Sequence, residues 1–165
     1  MAESPGSSHP YSRYFSPIRA KCRRLLGATA AAEDVAQEAL LRLWKSDVGE
    51  RGDARTIMAW LYRTCTRLAI DELRQRRKVD GQGGDDDAAS APCGVDMSAC
   101  IDARRAIATL AGSVPADELE VAVLCRVDGL SQPEAALVLG VSDRTVRRLL
   151  ERFDERAAPL RKELS

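Results

Sequence analysis

This sequence predicts an all-α fold built as two small helical domains, and three observations lead there. Its composition is rich in Ala, Leu, Arg and Glu, residues that lose little on entering a helix. Two long stretches, Arg13 to Lys78 and Ile101 to about Arg161, carry apolar residues at helical spacing, and no alternating strand pattern survives a count. Between them runs VDGQGGDDDAASAPCGVDMSAC, from Val79 to Cys100, with the Gly, Asp and Ala content of a solvated linker. The expected organisation is therefore a disordered Ser/Pro/Gly-rich tail at 1–12, a first domain at 13–79, a flexible acidic linker at 80–100 and a second domain at 101–161.

Composition bounds the function classes. Apolar residues at 45% of the 165 positions are enough for packed cores, while 4% aromatics exclude an aromatic-rich β-sandwich. The net charge is zero, so the whole chain is no polycation. Local charge is segregated: residues 63–78 carry six basic and two acidic side chains, whereas 80–96 carry five Asp and no basic one. Such segregation suggests distinct surfaces for distinct partners. Five widely spaced cysteines without a CxxC (Cys22, Cys65, Cys93, Cys100, Cys125) read as reduced thiols in a cytosolic protein. The one histidine, His9, lies in the polar tail, so neither a Cys/His metal site nor Ser/His/Asp catalysis is supplied. No signal peptide and no membrane-length apolar run is visible. The expectation is a cytoplasmic, non-enzymatic protein without cofactor, metal or membrane insertion.

In the first domain, Ala30 to Ser46 reads as a helix with Glu33 and Asp34 favourably placed in its first turns. Asp34, Gln37, Glu38 and Leu41 recur at i, i+3, i+4 and i+7 and share one face. Val35, Ala36, Ala39, Leu40, Leu43 and Trp44 are expected on the buried side. Taken alone, such a polar face is more often solvated than functional. Trp60 to Lys78 is the second element: Arg63, Arg67, Asp71, Arg74 and Lys78 cluster opposite Leu61, Tyr62, Cys65, Leu68, Ala69 and Leu73. A cationic stripe of this kind fits phosphate tracking along DNA, and a solvated charged face is its competitor.

The second domain holds the most informative stretch, Leu130 to Phe153, which reads as a helix-turn-helix. Ser131 and Glu134 form a capping box, and Pro133 is tolerated in the first turn. Ala135, Ala136 and Leu139 give the short helix a close-packing face, Gly140 supplies a positive-φ turn, and Val141 is expected to plug the corner. Ser142 caps the second helix. On a wheel of about 100° per residue, Val146, Leu149, Leu150 and Phe153 fall on one side and Arg144, Arg147, Arg148, Glu151 and Arg152 on the other. Planar arginine forks suit guanine edges and phosphates.

With EDVAQEALLRLW, AWLYRTCTRLAIDELRQRRK, an acidic linker and DGLSQPEAALVLGVSDRTVRRLLERF in that order, the chain resembles the extracytoplasmic-function (ECF) branch of the sigma-70 family. The resemblance covers about 13–78 and 101–160. It implies that a DxxQE helix, here Asp34, Gln37 and Glu38 with Leu41, docks on the β′ clamp helices of core RNA polymerase. It implies that Arg63, Arg67, Asp71, Arg74, Arg77 and Lys78 meet the promoter −10 element. It implies that Ser142, Arg144, Thr145, Arg147, Arg148 and Arg152 read the −35 element from the major groove, and that the β flap of core polymerase is a further contact of the chain. An anti-sigma factor is implied as a further partner. Arg67 stands where relatives usually carry Asn, which shifts its expected role from a flipped base toward phosphate. Gln132, Pro133 and Ala135 also depart from the usual first helix of the motif, lightening its packing.

Two other classes compete. A free-standing helix-turn-helix regulator would bind a palindrome as a dimer without polymerase, and an adaptor would use the acidic face without touching DNA. Gel shift with and without core polymerase separates all three.

Overall fold

The computed structural model describes residues 11–80 and 97–163. In chain order its helices are α1 (Ser12–Leu26), α2 (Ala30–Trp44), α3 (Asp47–Arg51), α4 (Ala54–Asp80), α5 (Met97–Ser113) and α6 (Ala116–Ala122), then a π-helical turn (Val123–Val127), α7 (Gln132–Leu139) and α8 (Asp143–Glu163). Most of the segment expected to be the linker lies outside the described residues, as do most of the tail and Cys93. The long helices reach a little into both, α1 starting at Ser12 and α5 at Met97.

Local chemistry sets the helix ends. Gly27, at φ +78°, ends α1, and its N–H returns to the Arg23 carbonyl at 2.9 Å. Thr29 caps α2 by accepting from the Ala32 N–H at 3.3 Å, and Ser46 caps α3 by accepting from Gly49 at 3.2 Å. Asp53 Oδ1 accepts from the Thr56 N–H at 2.7 Å where α4 begins. Glu33 ties α2 to α1, accepting from Arg19 Nε at 2.7 Å and Arg23 Nε at 2.9 Å. These bonds hold its carboxyl below the usual range.

The N-terminal half is a bundle of α1, α2 and α4. Ile18, Cys22 and Leu25 meet Ala36, Ala39 and Leu43 from α2 and Leu61, Cys65 and Ala69 from α4, all fully buried or nearly so. That matches the wheels for α2 and α4 with one correction. Trp44, expected inside, is 58% exposed. It closes α2 about 100° around the wheel from the buried Leu43 and lies on the side of Gln37 and Leu41. Leu40 is half-buried.

The helix-turn-helix forms as its residues dictate. The Ser131–Glu134 capping box is complete, with Ser131 N–H and Oγ donating to Glu134 Oε2 at 2.8 and 2.6 Å. Gly140 adopts the left-handed region at φ +68°. Val121, Leu124, Ala135, Ala136, Leu139, Val146 and Leu149 form the cluster beneath the motif. Val141 departs from expectation at 39% exposed. Its N–H closes the turn on the Ala136 carbonyl at 3.1 Å, while Leu139 and Val146 fill the space below, so its side chain stands outside. Because the Ser131 hydroxyl both accepts from the Glu134 N–H and donates to the Glu134 carboxylate, Ser131→Ala is expected to cost about 1 kcal/mol. It should also return Glu134, now held below the ordinary carboxyl range by those bonds, toward its usual titration. The check is thermal unfolding together with an NMR titration of the Glu134 carboxyl.

The two halves are in contact. One continuous buried cluster runs from Tyr14 through Leu73 to Ile107, Val114, Leu119, Val123, Phe153 and Ala157, and Tyr62 packs against both it and the helix-turn-helix cluster. Helix α4 lies against α5, α6 and α7, and α1 lies against α5. Among the described residues no helix is long and apolar enough to cross a membrane.

Candidate functional site

Three surfaces carry the residues singled out by sequence. The first is the outer face of α2. Asp34, Gln37 and Leu41 are exposed and Glu38 is half-buried, so the four share a solvent face as their spacing requires. Glu38 accepts from Arg42 Nε at 2.7 Å across one helical turn. Leu41 at 42% and Trp44 at 58% extend this face as an apolar ledge, which the sequence reading had in part assigned to the core.

The second is the outer face of α8. Ser142 accepts from the Thr145 N–H at 3.2 Å and so caps the helix. Val146, Leu149 and Phe153 are buried, while Arg144, Arg147, Arg148 and Arg152 are all exposed. Among the described residues no carboxylate pairs with these four arginines. Farther along, Arg156 holds the buried Glu118 at 2.9 Å and Arg126 holds Asp154 at 2.6 Å, which fasten α8 to the rest of the C-terminal half.

The third is the basic stripe of α4, and the structure places it differently from an open cationic face. Arg67 Nε donates to both oxygens of Glu120 at 3.1 Å. Arg74 donates to the carbonyls of Ala111 and Val114 at 2.8 and 3.0 Å. Arg77 donates to those of Ala108 and Thr109, satisfying the last turns of α5 as a cation does at a helix C-terminus. Arg63 is half-buried with its Nε unpartnered. Arg67, Asp71 and Lys78 remain exposed, the Arg67 side chain at 54% despite its bond to Glu120. Burial raises the Glu120 carboxyl above its ordinary range, against the opposing pull of Arg67.

Behind this stripe sits a group the sequence reading missed. The side chains of Lys21 and Asp128 are fully buried and paired with each other. Arg24 Nη2 reaches the second Asp128 oxygen at 3.0 Å, and the Lys21 ammonium lies 4.8 Å from the centre of the Tyr62 ring. Burial pulls the Lys21 ammonium below the usual lysine range, and Asp128 works against that pull. A signal was present on one side: Lys21 falls with Ile18, Cys22 and Leu25 at i, i+3, i+4 and i+7 on the apolar stripe of α1. Asp128, beside Gly129, offered none.

Sequence families agree with the order of these surfaces. The sigma-70 region 2 family matches residues 10–79 and the sigma-70 region 4 family matches residues 104–152. A bundle bearing region 2 followed by a helix-turn-helix region 4 defines a sigma-70-type protein. The chain is 32% identical over 126 residues to the ECF RNA polymerase sigma factor SigL of Mycobacterium tuberculosis, covering 75% of this chain and 71% of SigL. It therefore belongs to the ECF sigma factors. A probable RNA polymerase sigma factor, RfaY of Xanthomonas campestris, is 31% identical over 129 residues, 74% of this chain, but the chain spans only 32% of RfaY. Among solved structures, the sigma factor RpoE of Bartonella quintana, crystallised with the anti-sigma factor NepR, shares the fold. Its TM-score is 0.56 at 24% identity, over 92% of this chain and 94% of that one.

Proposed function

We propose that this chain is an alternative sigma factor that joins core RNA polymerase in the cytoplasm and directs promoter-specific initiation without chemistry of its own. Asp34, Gln37, Glu38 and Leu41 are the proposed contact for the β′ clamp helices, and the C-terminal half meets the β flap. The α4 residues Arg63, Arg67, Asp71, Arg74, Arg77 and Lys78 are proposed for the −10 element. Ser142, Arg144, Thr145, Arg147, Arg148 and Arg152 are proposed for the −35 element. An anti-sigma factor is the proposed restraining partner. A few phosphate contacts alone give weak, salt-sensitive affinity, and carrying both DNA-binding halves on one enzyme raises the effective concentration of the second contact.

The observation that carries this reading is the α8 face. Four exposed arginines, without a carboxylate partner among the described residues, project from a capped helix whose opposite side is buried, the arrangement that places side chains on base edges in a major groove. A bidentate arginine–guanine contact is worth about 1–3 kcal/mol, or about 5- to 150-fold in discrimination. Arg147→Ala or Arg148→Ala is therefore expected to relax preference at one or two positions of the −35 box while sparing the fold. The measurement is run-off transcription with core polymerase on promoters randomised in that box. Unchanged preference and unchanged promoter strength in both variants would remove α8 as the reader. Equal activity on a palindromic site without polymerase would favour the free-standing regulator.

A further inference from the structure

We infer that Glu151 is a base-reading residue of α8, selecting a cytosine in the −35 box through the cytosine amino group. The inference rests on the proposed −35 role of α8 and adds to it a discriminator of opposite charge. Glu151 is exposed on the arginine face. On the helical wheel it falls between Arg147 and Arg148, one turn farther along, and it lies inside the stretch Ser142 to Arg152 proposed to meet base edges. The fold gives this side chain no task. Asp143 sits in the first turn, where a carboxylate suits the helix N-terminus, and Asp154 is held by Arg126. Glu151, by contrast, pairs with no cation among the described residues, although Arg147 and Arg148 stand at the i−4 and i−3 positions from which a pair could form.

A bare carboxylate is costly in the middle of a face that meets a polyanion, because phosphates and most groove atoms repel it. In the major groove guanine offers two acceptors, and thymine an acceptor with a methyl group, so neither satisfies it. Adenine offers an amino donor with the N7 acceptor beside it. Cytosine offers its N4 amino group alone, the edge from which a Glu or Asp accepts. The same face thus carries arginines that draw guanine and a glutamate that rejects bases other than cytosine. Rejection of this kind gives discrimination without added affinity. The spacing fits as well. One helical turn is about 5.4 Å against about 3.4 Å per base step, so the cytosine falls within one or two steps of the positions that Arg147 and Arg148 set. Glu155 is the natural comparison. It is exposed on the same stripe but a turn farther on, past Arg152, and base edges are met by the N-terminal part of a recognition helix.

The test is run-off transcription by the full chain with core polymerase on promoters randomised in the −35 box, comparing wild type with Glu151→Gln, Glu151→Ala and Glu155→Gln. Wild type should favour cytosine at one position. Glu151→Gln should move that preference to adenine, whose N6 and N7 an amide matches. Glu151→Ala should reduce the discrimination there about 10- to 100-fold, the worth of a hydrogen bond to a charged group, chiefly by strengthening promoters that carry the other bases. Glu155→Gln should leave base preference unchanged. A Glu151 that only supports the helix would weaken all promoters alike and keep the preferred sequence, which overturns the inference. A shift confined to positions that Arg147→Ala or Arg148→Ala also alter overturns it too, since Glu151 would then act by orienting those arginines. So does an equal shift in Glu155→Gln, an effect of charge alone. If the arginine variants change base preference and the Glu151 variants do not, the inference falls while α8 stays the reader. If none of them does, α8 is lost as the reader and Glu151 with it.

Discussion

Asp34→Arg combined with Glu38→Arg is expected to abolish co-purification with core RNA polymerase and, with it, all polymerase-dependent transcription. The reason is that α2 does not use these side chains to fold. Its inner face is closed by Ala32, Val35, Ala36, Ala39 and Leu43, and its start is capped by Thr29. Glu38 makes an exposed i,i+4 pair with Arg42, a kind worth no more than about 0.5 kcal/mol. Circular dichroism and the unfolding temperature should therefore stay close to wild type. The binding cost is of another order, because reversing two charges at a complementary interface replaces attraction with repulsion and leaves desolvated charges unpaired. The neighbouring ledge of Leu41 and Trp44 supplies an apolar centre for such an interface, where binding energy concentrates. Arg42→Ala is the control and should retain association. Wild-type co-purification of the double variant would sink the docking assignment.

How much of this was legible in the sequence depended on whether a residue's partner lay on the same element. The helix-turn-helix was readable nearly in full, since Ser131, Glu134, Gly140, Ser142 and the Val146 stripe are all local signals and each appears in the structure as cap, turn or core. The α2 face was readable for the same reason. Val141 and Trp44 failed at element ends, where helical period says which way a side chain points but not whether anything covers it. The α4 stripe shows a deeper limit. Period alone places Arg67 and Arg74 opposite the core of the first half, but it cannot reveal that Glu120 and the carbonyls of Ala111 and Val114 sit across from them. The Lys21–Asp128 pair joins positions that no local pattern connects. A lysine on an otherwise apolar stripe announces a buried partner without naming it. Family likeness to regions 2 and 4 recovers each half, and the seam between them was visible in neither pattern nor motif.

Val146→Asp is expected to unfold the helix-turn-helix outright. Val146 has no exposed surface and is packed among Val121, Leu124, Ala135, Ala136, Leu139 and Leu149, a small cluster with no nearby cation among its members. An unpaired carboxylate there loses its hydration and finds no compensating partner, a penalty of several kcal/mol. That is comparable with the whole stability of a small domain, about 5–15 kcal/mol. Val146→Ala, which removes two buried carbon groups and adds no charge, should cost only about 1–2 kcal/mol and keep promoter selection. The contrast isolates charge burial from lost packing. Because protonation neutralises the introduced group, and burial favours its neutral form, the damage should ease as pH falls and deepen as pH rises. The bundle of α1, α2 and α4 should keep a cooperative transition of its own, since Ile18, Leu25, Leu43 and Leu61 are buried within it. The measurement is chemical unfolding followed by far-UV circular dichroism, with hydrogen exchange on α7 and α8. Wild-type protection of those helices in Val146→Asp would mean that the cluster tolerates a bare charge, and the motif could not then be held by the packing that aims the α8 arginines outward.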